Sequence, residues 1–165
     1  MAITSQTFTT SELVTAAKMN ANVRDNWQAT WPTATEAWQA WSPSYANLTV
    51  GNGTVVARYI QVGDLVTAAW LFTMGSTSSV GTGPTVSLPV TATSSYTATY
   101  MTLGTAEYVN AWVAAYLGLA DNASTTTVAL QSIGASGIWA AVSATVPFTF
   151  ATSDALSFQI SYEAA

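Results

Sequence analysis

The sequence predicts an all-β fold, an antiparallel β-sandwich preceded by a short N-terminal helical arm. From Tyr45 onward, apolar residues recur with a period of two in eight or nine short segments. Turn-forming residues separate these segments, and no helical pattern appears after Trp41. We expect a jelly-roll-like arrangement, with an immunoglobulin-like sandwich as the alternative.

The first segment, residues 1–27, has helical periodicity and is predicted to be a docking arm. Thr9 and Glu12 have capping-box spacing, and Phe8 and Leu13 are placed to form a hydrophobic staple. A helix of about 15 residues is marginal alone, so it should pack on its own domain or on a neighbouring protein. The apolar residues of the proposed anchor are Phe8, Leu13, Ala16, Met19, Val23 and Trp27.

Residues 28–44 form a predicted connector that is rich in tryptophan and proline. A flexible linker would be rich in Gly and Ser, so this segment should lie against a surface. Its indoles are expected to pack in a core or interface, and stacking on sugars is the alternative. The candidate glycan-stacking residues of the whole chain are Trp38, Trp41 and Trp139.

Residues 45–165 form the predicted β-sandwich domain. Gly63-Asp64 separates two strand-like segments and fits a two-residue hairpin turn with glycine first. Further strands are predicted at 85–90, 96–103, 125–132 and 145–150, with a loop at 75–84, a turn at Asp121-Asn122 and a loop at 134–144 around Trp139. The alternating apolar positions of the two clearest strands are Val66, Ala68, Trp70, Phe72 and Met74, and Leu156, Phe158, Ile160 and Tyr162.

Residues 108–119 are predicted to be one strand that is apolar on both faces, as a central strand or a subunit contact would be. Arg58 is the only basic residue after Asn26. It is either an ordinary solvent-facing side chain or part of an ion pair between subunits, with Glu107 or Glu163 as partner. The candidate subunit-interface residues are Arg58, Tyr108, Trp112 and Tyr116.

Composition argues against several function classes. The chain has no His and no Cys, so the usual general base and the usual soft metal ligands are missing, and we expect no catalytic residue, no metal site and no cofactor. A net charge of -5 argues against nucleic-acid binding, and no apolar run approaches a membrane span. No signal peptide is evident. A pair of distant carboxylates and a loop calcium site near Asp121-Asn122 remain alternatives.

The low content of charged residues, 7%, is itself informative. An ordinary soluble domain has about 25% charged residues. A surface of Thr, Ser, Ala, Asn and aromatic residues suits burial against further copies or a larger assembly. A robust Thr-rich β-protein from a compositionally biased genome is the alternative.

Two stretches resemble structural proteins of tailed-bacteriophage particles. The segment from Phe8 to Asn26, with the phrase ELVTAAKMN followed by VRDN, is similar to the start of phage minor tail, fibre or head-associated proteins. The stretch from Asn47 to Gly63, together with GSTSS at 75–79 and SLPV at 87–90, resembles a β-module of phage virion proteins.

This resemblance implies a non-enzymatic component on the exterior of a phage particle, made in the host cytoplasm. The arm would attach it to the major capsid protein or to tail proteins, and the β-domain would project outward as a homotrimer. The first expectation is a capsid decoration or head-fibre protein. The alternatives are a minor tail or fibre protein that binds a host surface glycan, and a free carbohydrate-binding module.

Overall fold

The computed structural model describes residues 13–20, 23, 38–96, 101–111, 113–134 and 137–165, and β-strands dominate it. The predicted all-β antiparallel fold is confirmed, since every pair of neighbouring strands in the sheet runs antiparallel. The elements in chain order are α1 (Ala16–Met19), β1 (Gln39–Ala40), β2 (Tyr45–Thr49), β3 (Thr54–Val62), β4 (Leu65–Thr73), β5 (Ser79–Ser87), a 3₁₀-helix (Ser94–Tyr96), β6 (Thr102–Asn110), β7 (Ala114–Ser124), β8 (Thr127–Ile133), β9 (Trp139–Ala141) and β10 (Ala155–Glu163).

The strands form one continuous sheet in the order β1-β3-β4-β10-β6-β7-β8-β5-β2, with β9 paired to β8. The sheet curls into a half-barrel, so that its two ends face each other as the layers of a sandwich do. Tyr45 on β2 and Trp70 on β4 meet across the inside, with ring centroids 6.2 Å apart. The Thr93 amide donates to the Glu163 carbonyl at 2.9 Å and links the loop after β5 to the end of β10.

The hairpin between β3 and β4 shows why local sequence sets the register here. Val62 pairs with Leu65, and Gly63 and Asp64 form the turn. Gly63 has φ +57°, a conformation that glycine adopts without strain. The predicted two-residue turn with glycine first is therefore confirmed.

The core lies on the inner face of the curled sheet. Along β4 and β10, alternate residues are buried, as the period of two predicts. The rings of Trp70 and Phe158 stack at 5.2 Å, and Phe72 lies 6.0 Å from Trp70. Asp154 is 1% exposed, and its carboxylate accepts hydrogen bonds from the Ala111 and Ala151 amides.

Several of the predicted boundaries from residue 75 onward are wrong. The loop predicted at 75–84 ends early, since β5 begins at Ser79, and β6 begins at Thr102 rather than at residue 96. The strand predicted at 108–119 is a hairpin: it joins the end of β6 to β7 through a turn in which the Val113 amide donates to the Asn110 carbonyl. No strand is present at 145–150, where the Val146–Pro147 peptide bond is cis.

Asp121-Asn122 is not a turn, as predicted, but part of β7. Both residues are buried, and the Thr102 hydroxyl on the neighbouring strand donates to the Asp121 carboxylate at 2.9 Å. The turn follows at 125–126 instead. The loop predicted at 134–144 contains a short strand, β9, which pairs with β8.

The β-domain takes in the end of the predicted connector. Gln39 pairs with Tyr59 and Ala40 with Arg58, which adds a two-residue edge strand beside β3. No helix in the described part of the chain is long and apolar enough to cross a membrane.

Candidate functional site

The described part of the arm exposes its apolar side chains. Helix α1 is capped by Thr15, whose side chain accepts from the Lys18 amide at 3.3 Å. The helix therefore begins later than the predicted cap at Thr9, which lies outside the described residues together with Phe8 and Trp27. The other predicted anchor residues are exposed: Leu13 (81%), Ala16, Met19 (50%) and Val23 (60%).

The outward-facing side of the sheet, here called the outer face, carries a row of apolar side chains across neighbouring strands. Val56 on β3 pairs with Leu71 on β4, and Glu107 on β6 pairs with Leu117 on β7, with Ser157 of β10 between the two pairs. The three apolar side chains are exposed by 54%, 42% and 70%. This row lines a groove of about 470 Å³, here called the first groove.

Arg58 and Glu107 are the charged residues that line the first groove. Arg58 lies on β3 opposite Ala69, and Glu107 lies three strands away on β6. With strands about 4.8 Å apart and residues about 3.4 Å apart along a strand, their backbones are roughly 16 Å from each other. That separation is too large for a salt bridge within one chain, so each charge is available to a second molecule.

The other predicted interface residues have different environments. Tyr108 is fully buried, and its hydroxyl donates to the Gln131 carbonyl at 2.9 Å. Burial raises the pKa of Tyr108, and the charge of Asp121 raises it further. Tyr116 is half-buried, with its ring 5.1 Å from that of Phe148.

Tyr108 is therefore a core residue of the chain itself and not a surface for a second copy, and Tyr116 packs against that core. They are cross-strand partners on the inner face, because the predicted single strand is in fact a hairpin. Trp112 lies outside the described residues. Leu117, on the opposite side of β7, is the exposed apolar residue of this hairpin that lines the first groove.

The three candidate glycan-stacking tryptophans do not form one platform. The Trp41 indole donates to the Ser87 carbonyl at 3.4 Å and packs edge-on against Tyr59 at 6.3 Å, so it serves packing. Trp38 is 43% exposed beside β1, and Trp139 is 48% exposed on β9. Along the sheet, β1 and β9 are seven strand spacings apart.

Trp139 belongs to a second groove on the outer face, with a volume of about 540 Å³. The groove combines an indole, a carboxylate, an amide and a hydroxyl with two apolar side chains. Its lining residues are Thr102, Leu119, Asp121, Gln131, Trp139 and Ala141.

Two carboxylates, those of Asp64 and Glu163, line a third groove of about 420 Å³. Both residues are exposed, at the β3–β4 turn and the end of β10. Among the described residues, no cluster of three or more acidic side chains could hold a metal ion.

Comparisons with protein-family models, with curated proteins and with solved structures each found no match to the chain. Of the outer face, the sequence pattern predicted Arg58 but not the apolar row beside it. Val56 and Ala57 are adjacent apolar residues, and so are Leu71 and Phe72. Because neighbouring residues of a strand point to opposite faces, such pairs indicate an apolar side chain on the outer face as well as in the core.

Proposed function

We propose that the chain is a non-enzymatic structural protein of a bacteriophage particle, attached by its N-terminal arm and displaying the β-domain outward. The observation that carries this proposal is the exposure of apolar side chains on the arm, led by Leu13 at 81%. Exposed apolar residues of this kind are typical of surfaces that bind a partner. The resemblance of residues 8–26 to phage structural proteins indicates the class of partner.

The β-domain has a core of its own, which supports the division into anchor and displayed domain. The buried apolar cluster extends from Leu48 to Ala164 and includes none of the arm residues that the structure describes, 13–20 and 23. The exposed apolar side chains of these described residues, Leu13, Met19 and Val23, are therefore available to a capsid or tail protein.

We further propose that the displayed domain is a homo-oligomer, with a trimer as the expected stoichiometry. The outer face of the five strands from β3 to β7 in sheet order covers roughly 700 Å² in projection, from about 4.8 Å per strand and about 3.4 Å per residue. In a cyclic trimer this face is shared between two neighbours, so about 350 Å² of it would lie in each contact, and adjoining surface would supply the rest of the ~800 Å² per partner of a standard interface.

The charges of the first groove support a head-to-tail arrangement. Arg58 lies one strand in from the sheet edge, whereas Glu107 lies mid-sheet. In a cyclic assembly, the β3 side of one copy would pack over β6 and β7 of the next copy. Arg58 of each copy would then pair with Glu107 of its neighbour.

The arm hypothesis is tested by deleting residues 1–26. We expect the truncated protein to keep a cooperative thermal transition within a few degrees of the full chain, because the buried cluster from Leu48 to Ala164 is retained in full. Its incorporation into phage particles, measured by immunoblotting of gradient-purified particles, should be lost. The anchor assignment is wrong if the truncated protein is incorporated normally, and the domain division is wrong if it unfolds.

We favour a location on the capsid exterior over a location on the tail. One domain with one anchor suits a decoration or head-fibre protein, which needs no long shaft. The competing proposal is a tail protein that binds a host glycan. The second groove, with the exposed indole of Trp139, favours this alternative.

A further inference from the structure

The second groove has side chains of the kinds that bind a sugar ring. It lies on the outer face where β6, β7, β8 and β9 run side by side. Gln131 pairs with Leu119 on one side and with Ala141 on the other, and Trp139 is two residues from Ala141 along β9. Gln131 and Trp139 are thus diagonal neighbours, about 7–8 Å apart, which spans roughly one pyranose ring. Asp121 lies further along the groove, because it pairs with Ala129 on β8 whereas Trp139 pairs with Ile133; their backbones are roughly 17 Å apart.

Trp139 provides an aromatic surface at the rim of this groove. Its side chain is 48% exposed on a three-residue strand that pairs with β8. The face of an indole carries negative charge density, which attracts the weakly positive C–H groups on one face of a pyranose ring. Leu119 and Ala141 add an apolar floor between the indole and the polar groups.

The polar groups on the other side of the groove are held in place. Asp121 is 7% exposed, and the Thr102 hydroxyl donates to its Oδ1 at 2.9 Å, which fixes the carboxylate. A fixed carboxylate accepts strong hydrogen bonds from hydroxyl groups. The backbone carbonyl of Gln131 accepts a hydrogen bond from the Tyr108 hydroxyl, which fixes the position of β8 at this residue. The side-chain amide of Gln131 offers both donors and an acceptor to a ligand.

The charge of the groove selects among sugars. Asp121 is the one charged residue among the lining residues, and it is negative. A sialic acid, uronic acid or phosphosugar would place its own negative charge in the groove without a cation to pair with it. We propose that the second groove binds a neutral oligosaccharide, with one pyranose unit stacked on Trp139 beside Gln131 and a following unit that donates hydroxyl hydrogen bonds to Asp121. This inference does not rest on attachment to a particle.

The test is a titration of the full chain labelled with 5-fluorotryptophan, followed by ¹⁹F NMR. The probes are the disaccharides maltose, lactose, mannobiose and N,N′-diacetylchitobiose, each a neutral glycoside, with N-acetylneuraminic acid as the acidic control. We expect at least one neutral glycoside to shift the Trp139 resonance with a Kd of about 1–10 mM, and the acidic sugar to shift nothing.

Matched variants connect the binding to this groove. Trp139→Ala and Asp121→Asn should each weaken binding by about tenfold or more, whereas Trp38→Ala, which removes an indole of similar exposure, should leave binding unchanged. Asn at position 121 keeps an acceptor for the Thr102 hydroxyl, so the fold is preserved while the charge is removed. The remaining ¹⁹F resonances report whether each variant is folded.

Two results would overturn the inference. One is the absence of any shift from all four neutral glycosides at about 50 mM, a concentration that would detect even Kd values weaker than those expected. The other is binding that Trp38→Ala abolishes and Trp139→Ala leaves intact, since the sugar would then lie elsewhere.

Discussion

A charge exchange between Arg58 and Glu107 tests the proposed contact between copies of the chain. The substitutions are Arg58→Glu, Glu107→Arg and the two together. Each single change places like charges opposite each other in the assembly, whereas the double variant restores an opposite-charge pair with its direction reversed. Within one chain the two residues are roughly 16 Å apart, so neither change should affect folding.

The size of the effect follows from the geometry of the pair. Two unit charges about 4 Å apart at an effective dielectric constant of about 20 attract by about 4 kcal/mol before desolvation. Measured coupling energies for close interfacial pairs begin near 1.5 kcal/mol. With about 2 kcal/mol per pair, converting attraction into repulsion costs about 4 kcal/mol, which is a weakening of roughly 1,000-fold.

Sedimentation velocity over a range of protein concentrations measures this effect, with circular dichroism as the control for folding. We expect the unmodified chain to sediment as an oligomer and both single variants to sediment as monomers. The double variant should associate again, within about tenfold of the original affinity. If the double variant dissociates as readily as the single ones, or if neither single change affects association, the assignment of this ion pair is refuted.

Three further predictions follow from burial and hydrogen bonding. Leu117→Asp should lower self-association by about tenfold or more without lowering the melting temperature, whereas Ile138→Asp, at nearly equal exposure (69% against 70%) but outside the first groove, should leave association unchanged in sedimentation experiments. Asp154→Ala should lower the free energy of unfolding by about 2–5 kcal/mol in urea titrations, because two backbone amides lose their acceptor, whereas the same change at the exposed Asp64 should cost less than about 0.5 kcal/mol. Burial raises the pKa of Tyr162 from 10.0 to about 12, so its stabilising contribution is complete below pH 10 and is lost as the pH rises to about 12; Tyr162→Phe should flatten the decline of stability in that range, and an unchanged slope would contradict this assignment.

The strands that the sequence predicted well are those in which one face is buried and the other is not. In β10 the burial pattern alternates without interruption through Leu156, Phe158, Ile160 and Tyr162. The β3–β4 hairpin was predictable because Gly63 provides a positive φ directly between two apolar segments. In both cases the determining interactions are local, so a single sequence contains them.

The mispredicted region, residues 79–122, depends on contacts that are distant in sequence. Asp121 looks like a turn residue, but a hydroxyl from Thr102, 19 residues earlier, makes its burial in β7 possible. The strand β5 contains Gly81, Gly83 and Pro84, which suggested a loop, and its pairing with β2 and β8 compensates for them. Tertiary pairing of this kind outweighs local propensity.

The candidate site was predictable only in part. Arg58 could be identified because it is the only basic residue after Asn26. The position of Arg58 relative to Glu107 depends on β10, which lies between β4 and β6 in the sheet. The residues of β10 come about 50 positions after Glu107 in the sequence and about 100 positions after Arg58. The same long-range order places Trp139 and Asp121 along one groove, so no pattern within a short segment could have indicated the second groove.

The central claim, that the chain is a structural component of a phage particle, is tested most directly by locating it on that particle. Cryo-electron microscopy of particles that carry the full chain, compared with particles that lack it, gives a difference density. We predict density at regular positions on the capsid exterior, with the arm against shell subunits and the β-domain outward. The claim is contradicted if the two reconstructions show no difference density and purified virions do not contain the chain.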